Sequence, residues 1–133
     1  MKKLIVIFTL LLAMMACKEE GEDPSPDPIP LEMIARTWKV QSVTINGQAD
    51  NATDYSAYRF TFNQNLTYRF VIPDTQEGSW ELIANASALT LDKGTTREQR
   101  VEVQKLNETA LKLEFTEQSD KTGTQHILYE LIP

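Results

Sequence analysis

From Thr37 to the end of the chain, apolar and polar residues alternate with a period of two, and no segment of comparable length follows a helical period. The alternation predicts eight strands, over residues 37–46, 57–63, 66–72, 78–84, 88–92, 98–106, 110–116 and 125–132. It also assigns faces. Tyr58, Phe60 and Phe62 share one side of their strand, as do Tyr68 with Phe70, Trp80 with Leu82, Leu111 with Leu113 and Phe115, and Ile127 with Tyr129 and Leu131. Arg59, Thr61, Arg69, Glu81, Lys112, Glu114 and Glu130 fall on the opposite sides, so one face is buried and the other wet, as in an antiparallel meander. The first strand breaks the rule, because Trp38 and Val40 share a face while Val43 and Ile45 lie on the other; a bulge near Gln41 or Ser42 reconciles them.

The turns support these strands independently. Asn63-Gln64-Asn65, Pro73-Asp74-Thr75-Gln76-Glu77, Asn107-Glu108-Thr109 and Asp120-Lys121-Thr122-Gly123 hold residues that adopt turn backbone at low cost. Asn65, Asn85 and Asn107 open N-x-S/T triplets, which read here as turn chemistry rather than as glycan acceptors. Only the connection over 47–56, with Asp50, Asn51, Asp54 and Tyr55, is long, which makes it the expected lid over one mouth. Residues 31–35 predict one helical turn ahead of the first strand. Sequential hairpins favour an all-β, eight-stranded up-and-down barrel, which leaves no exposed edge. A sandwich is the alternative, since a strand pattern alone fixes neither closure nor sheet partition.

The N-terminus has a different character. Lys2 and Lys3 precede an apolar run over residues 4–16, interrupted only by Thr9, which is the layout of a secretory signal peptide over 1–16. The run is too short for the roughly 20 residues a membrane-spanning helix needs. Leu12-Ala13-Met14-Met15-Ala16-Cys17 resembles a bacterial lipobox, although Met14 stands where leucine is usual. Cys17 is the only cysteine, so an intrachain disulfide is excluded and lipidation is the economical role for a thiol in an oxidising compartment. Acyl chains on Cys17, palmitate among them, then hold the protein to a membrane.

Residues 17–30 read as a tether, with prolines at 24, 26, 28 and 30 and five acids. Such a stretch cannot bury enough apolar area to fold, and its prolines favour an extended chain of about 40 Å. Lys18, Glu19 and Glu20, directly after the cysteine, resemble the export signal of Bacteroidetes-type surface lipoproteins. That resemblance implies a lipid-anchored protein of the outer membrane facing the cell exterior. Residues 31–133 remain for one domain.

Charge narrows the partners. The full chain carries a formal charge of −6, and removing Lys2 and Lys3 takes the basic count from 13 to 11 against 19 acids, or −8. This argues against nucleic acid and against electrostatic attachment to anionic lipid. Enzyme chemistry is sparse. His126 is the only histidine, expected on the outer face of the last strand, so neither a Cys/His zinc site nor a Ser-His-Asp triad is indicated. Asp50 and Asp54 are the one carboxylate pair on a mouth loop, and a solvated acidic loop explains them better than a cation site. No catalytic residues, metal or cofactor are expected.

Leu31 to Val40, with Thr37-Trp38-Lys39-Val40 opening the first strand, resembles the start of lipocalin-like domains, in which a helical turn closes one barrel end above a tryptophan. The resemblance continues through Tyr58-Arg59-Phe60-Thr61-Phe62, Gly78-Ser79-Trp80-Glu81-Leu82, Leu111-Lys112-Leu113-Glu114-Phe115 and Tyr129-Glu130-Leu131. Two features depart from the family pattern: Arg36 stands where glycine is usual, and no arginine follows Arg100 to stack on the tryptophan. The resemblance implies a non-enzymatic binding module for a small apolar or amphipathic ligand. The inward rings Tyr58, Phe60, Tyr68, Phe70, Trp80, Phe115 and Tyr129 are the candidate ligand contacts. The alternative is a filled barrel whose surface contacts a protein partner, either a neighbouring surface complex or an external protein.

Overall fold

Trp38 sets the inner face of the first strand. In the computed structural model, which describes residues 30–133, its ring is fully buried and its indole N–H donates to the Ile34 carbonyl at 2.9 Å. That bond fixes the short helix α1 (Pro30–Ile34) across one end of the sheet, where Ile34 is fully buried and Leu31 and Ala35 pack on the core. The expected signal peptide, Cys17, the Lys18-Glu19-Glu20 signal and all of the tether except Pro30 lie outside the described residues.

Nine strands follow in sequence order. They are β1 (Thr37–Ile45), β2 (Gln48–Ala49), β3 (Arg59–Phe62), β4 (Thr67–Val71), β5 (Thr75–Ile83), β6 (Ala88–Leu91), β7 (Gln99–Asn107), β8 (Ala110–Ser119) and β9 (Gly123–Ile132). All pair antiparallel with their neighbours, and β1 also pairs with β9, from Lys39 opposite Ile132 to Ile45 opposite Ile127. That last ladder closes the sheet into an eight-stranded barrel and excludes the sandwich. The extra strand, β2, folds back on the end of β1, placing Thr44 opposite Ala49.

The expected bulge falls on Gln41, which is left over between the Val40–Leu131 and Ser42–Glu130 pairs. It rotates β1 so that Trp38, Val40 and Val43 all point inward. A second irregularity at Gln104, between Val103 and Lys105, lets Leu106 face the core beyond Val101 and Val103.

Several boundaries differ from the sequence reading. β5 begins at Thr75, not at Gly78, and the β8–β9 hairpin runs on to Ser119 and Gly123. Both extensions are polar and largely exposed, as at 75–77 and 117–118, and their hydrogen bonds are satisfied by a partner strand rather than signalled by apolar alternation. β3 is shorter than expected, starting at Arg59, and the long 47–56 connection is interrupted at once by β2.

Two of the N-x-T triplets make the same local structure. Asn65 Oδ1 accepts from the Thr67 amide and hydroxyl, and Asn107 Oδ1 accepts from those of Thr109. The triplets recur because the pair closes an Asx turn.

Candidate functional site

The barrel interior is crowded with rings. Phe60 and Phe70 face each other across β3 and β4 with centroids 4.6 Å apart, Phe62 bridges Phe70 and Trp80 at 5.3 Å each, and Tyr129 meets Phe60 at 5.0 Å and Phe115 at 5.5 Å. Phe60, Phe70 and Trp80, all expected as ligand contacts, are core residues with almost no exposed surface. Tyr58 and Tyr129 remain half-buried beside Tyr55, whose ring packs edge-on to Tyr58 at 4.9 Å. Burial pushes the Tyr129 hydroxyl up to about 12.

At the end opposite α1 the packing of the interior is interrupted. There Tyr68, Phe70, Leu91 and Phe115 wall a partly open cleft of about 260 Å³, and Gln76, Gln99, Asp92 and Arg97 complete its lining. Three of the seven expected ligand contacts, Tyr68, Phe70 and Phe115, come together in this cleft. A larger, shallower hollow of about 450 Å³ lies beside Pro30, Leu31 and residues 82–86, but it has neither charge nor ring to orient a ligand.

Asp92 is the only buried charged residue among the described residues, at 5% exposure. Simple alternation from Leu89 and Leu91 would turn it outward. Its backbone instead takes a positive φ of 51°, which aspartate tolerates better than most residues and which carries the carboxylate inward. There Oδ2 accepts from the Tyr68 hydroxyl at 2.8 Å, and Oδ1 accepts from the Ser79 amide at 3.1 Å. The Asp92 amide in turn donates to the Ser79 carbonyl, so one residue ties β4, β5 and the end of β6 together. Burial, reinforced by the Asp92 carboxylate, pushes the Tyr68 hydroxyl up to about 12.

Gly78 makes this arrangement possible. A Cβ at position 78 would stand 1.8 Å from Asp92 Oδ1 and 2.8 Å from the Tyr68 ring. A glycine inside a strand marks close approach, and here what approaches is a carboxylate.

The β6–β7 connection then brings a cation back over that carboxylate. The Asp92 carbonyl accepts from the Thr95 amide and hydroxyl, and Thr95 Oγ1 accepts from the Arg97 amide. This turn returns the Arg97 guanidinium to 3.4 Å from Asp92 Oδ2 and 3.1 Å from the Glu77 carbonyl, with 62% of its side chain exposed.

The other sequence candidates do not converge. Asp50 accepts from the Ala52 amide, the Thr53 hydroxyl and the Tyr55 hydroxyl, and these bonds, led by that of Tyr55, hold its carboxyl below the usual carboxylate range. Asp54 is held low by the Ser56 amide. Each acid thus stabilises its own loop, and among the described residues no three His, Cys, Asp or Glu side chains gather as metal ligands. His126 lies on the outer face, its Nδ1 3.1 Å from Glu114. Sequence reading missed Asp92 and Arg97. The available signal was Gly78, misread as the first residue of its strand, together with Asp92 shortly before Gly94 at a strand end.

A closed eight-stranded antiparallel meander with one short helix across an end is the architecture of lipocalin-like barrels, a fold that typically serves binding. The family model described as a lipocalin-like domain matches residues 34–113, more than half of the chain, and the chain belongs to that family. A search of curated proteins finds no match.

Both departures from the family pattern involve the tryptophan. Arg36 places its guanidinium 5.4 Å from the Trp38 ring centroid, so a residue two positions upstream covers the ring that a late arginine otherwise covers.

Proposed function

We propose that the protein is a lipid-anchored, non-enzymatic binding module that takes a small amphipathic molecule into the mouth cleft. The observation that carries this reading is the cleft itself, where three aromatic rings and Leu91 meet a buried carboxylate and two amides. Its volume lies just under the ~300–1,000 Å³ usual for small-molecule sites. The occupant is therefore a compact molecule or one end of a longer one, seated at the mouth because rings fill the deeper barrel. The filled interior also fits the alternative of a protein-contacting barrel. That reading needs an apolar surface patch, and among the described residues Leu66 is the only large hydrophobic residue that is substantially exposed.

The anchoring half of the proposal is supported by the basic-then-apolar leader, the lone Cys17 behind a small residue, and Lys18-Glu19-Glu20. On this reading the barrel sits on the outer face of the outer membrane, held by acyl chains alone. Native mass spectrometry of the full chain, purified from its own host in mild detergent, tests both halves. The expected spectrum shows acyl mass on Cys17 and a co-purifying small molecule. An unacylated chain sinks the anchor, and repeated preparations without adduct sink the ligand.

A further inference from the structure

Resting on that reading of the cleft, we infer that its ligand carries a positively charged nitrogen, an amine or guanidine on a compact apolar body, and that Arg97 holds the place of this cation until the ligand arrives. Asp92 is an anion almost wholly withdrawn from water, and its partners in the fold, the Tyr68 hydroxyl and the Ser79 amide, are neutral donors. Neutral donors do not balance a buried charge, so a cation belongs beside it.

Arg97 supplies that cation weakly. Its 3.4 Å separation exceeds the ~2.7–2.9 Å of a tight charge-assisted bond, and most of its side chain is in water, where ion pairs contribute little. A ligand ammonium donating to Asp92 Oδ2 would release the guanidinium to solvent at small cost and leave the carboxylate paired throughout. The apolar body would then lie against Phe70, Leu91 and Phe115, and the Tyr68 and Phe70 rings, 4.3 Å apart, would favour the adjacent positive charge.

An anionic head meets the opposite conditions. To reach Arg97 from within the cleft, a carboxylate would have to approach Asp92, and like charges at such range are disfavoured. The formal charge, −6 for the full chain and −8 once Lys2 and Lys3 are removed, also draws cations and repels anions at a distance. A long-chain acid is further disfavoured by the size of the cleft.

The test compares three probes with one body and different heads: 2-naphthylmethylamine, 2-naphthylmethanol and 2-naphthoate. Each is titrated into the full chain in detergent at pH 7 and followed by calorimetry and by amide shifts at Tyr68, Asp92 and Phe115. The amine is expected to bind about tenfold tighter than the alcohol, with naphthoate weakest. Asp92→Asn should erase the gap between amine and alcohol. Because Asp92 also ties three strands, Arg97→Ala at an exposed position is the second variant; it should tighten the amine several-fold by removing its competitor. Equal or tighter binding of the alcohol or acid in the cleft overturns the head-group assignment and leaves the cleft standing. An amine affinity unchanged or reduced in Arg97→Ala overturns the place-holding role. If none of the probes perturbs the cleft amides, the cleft reading itself fails.

Discussion

The two ends of this barrel are built from similar materials and reach opposite states. At the α1 end the indole N–H of Trp38 is spent on the Ile34 carbonyl, Ile34 and Trp38 have no exposed surface, and Arg36 covers the ring. At the mouth, Asp92 is also buried, and beside its two neutral donors, Tyr68 and Ser79, the only cation that meets its charge is a loosely held, exposed arginine. An end whose polar groups are all satisfied by its own backbone has nothing to offer a ligand. The proposed site at the other end rests on a buried charge with a loosely held partner, not on the barrel shape, which does not by itself fix function.

The largest expected effect breaks the closed end. Trp38→Ala should cost about 3–5 kcal/mol, the usual range for deleting a buried aromatic, measured by urea denaturation. A loss under about 1 kcal/mol would show that the helix and ring are not a plug.

Next comes the mouth. Gly78→Ala forces a methyl group onto Asp92 Oδ1 and the Tyr68 ring, and should cost about 1–3 kcal/mol by displacing a hydrogen-bonded buried carboxylate. Combining it with Asp92→Ala removes the nearer of the two clashes and leaves that with the Tyr68 ring, so the two costs should be less than additive by about 1 kcal/mol. Additive costs would mean that Gly78 serves only its own backbone.

The sequence made the closed end and the interior legible, and the mouth far less so, for a physical reason. Residues such as Phe60, Phe62, Leu111 and Leu113 declare themselves because burial selects for apolarity at every second position, and even the Gln41 bulge follows from a switch in that phase. Asp92 breaks the pattern by a single left-handed residue, which reverses the direction of one side chain without altering composition. Thr75, Gln76 and Glu77 look like a turn because their side chains are all in water; their strand character resides in ladder bonds to β4, which leave no mark on residue type. Reading 78 as a strand start therefore hid the one glycine that betrays a buried carboxylate.

Alkaline pH sharpens the contrast with a smaller effect. Tyr68 at the cleft and Tyr129 among the inner rings both have hydroxyls raised from 10.0 to about 12, chiefly by burial. A proton held more tightly by the folded chain gives stability that is intact below pH 10 and is lost as pH rises from 10 toward 12. Ultraviolet titration should show the Tyr68 and Tyr129 phenols ionising late, together with unfolding. Tyr68→Phe should remove part of the alkaline loss, at the cost of one hydrogen bond to Asp92. Four phenols titrating together near 10 in the folded protein would contradict the burial of both rings.

The smallest effect is the most discriminating, because it asks what backbone strain is for at each end. Near α1, the turn between β5 and β6 holds Ala84, Asn85 and Ala86 at φ of 51°, 55° and 63°. Left-handed backbone costs an L-residue other than glycine roughly 1–2 kcal/mol. Ala84 is exposed, so Ala84→Gly relieves its share with no burial lost and should raise stability by up to about 1 kcal/mol, after the added freedom of the unfolded chain is subtracted. At the mouth, Asp92 has the same φ of 51°. Asp92→Gly relieves the same strain but leaves the Tyr68 hydroxyl buried and the Ser79 amide without its acceptor, a loss of about 1–3 kcal/mol that outweighs the relief. Thermal denaturation of the two variants should therefore shift in opposite directions from the same φ. If both glycines stabilise, the strain at Asp92 holds no carboxylate in place, and the mouth is no different from the plugged end.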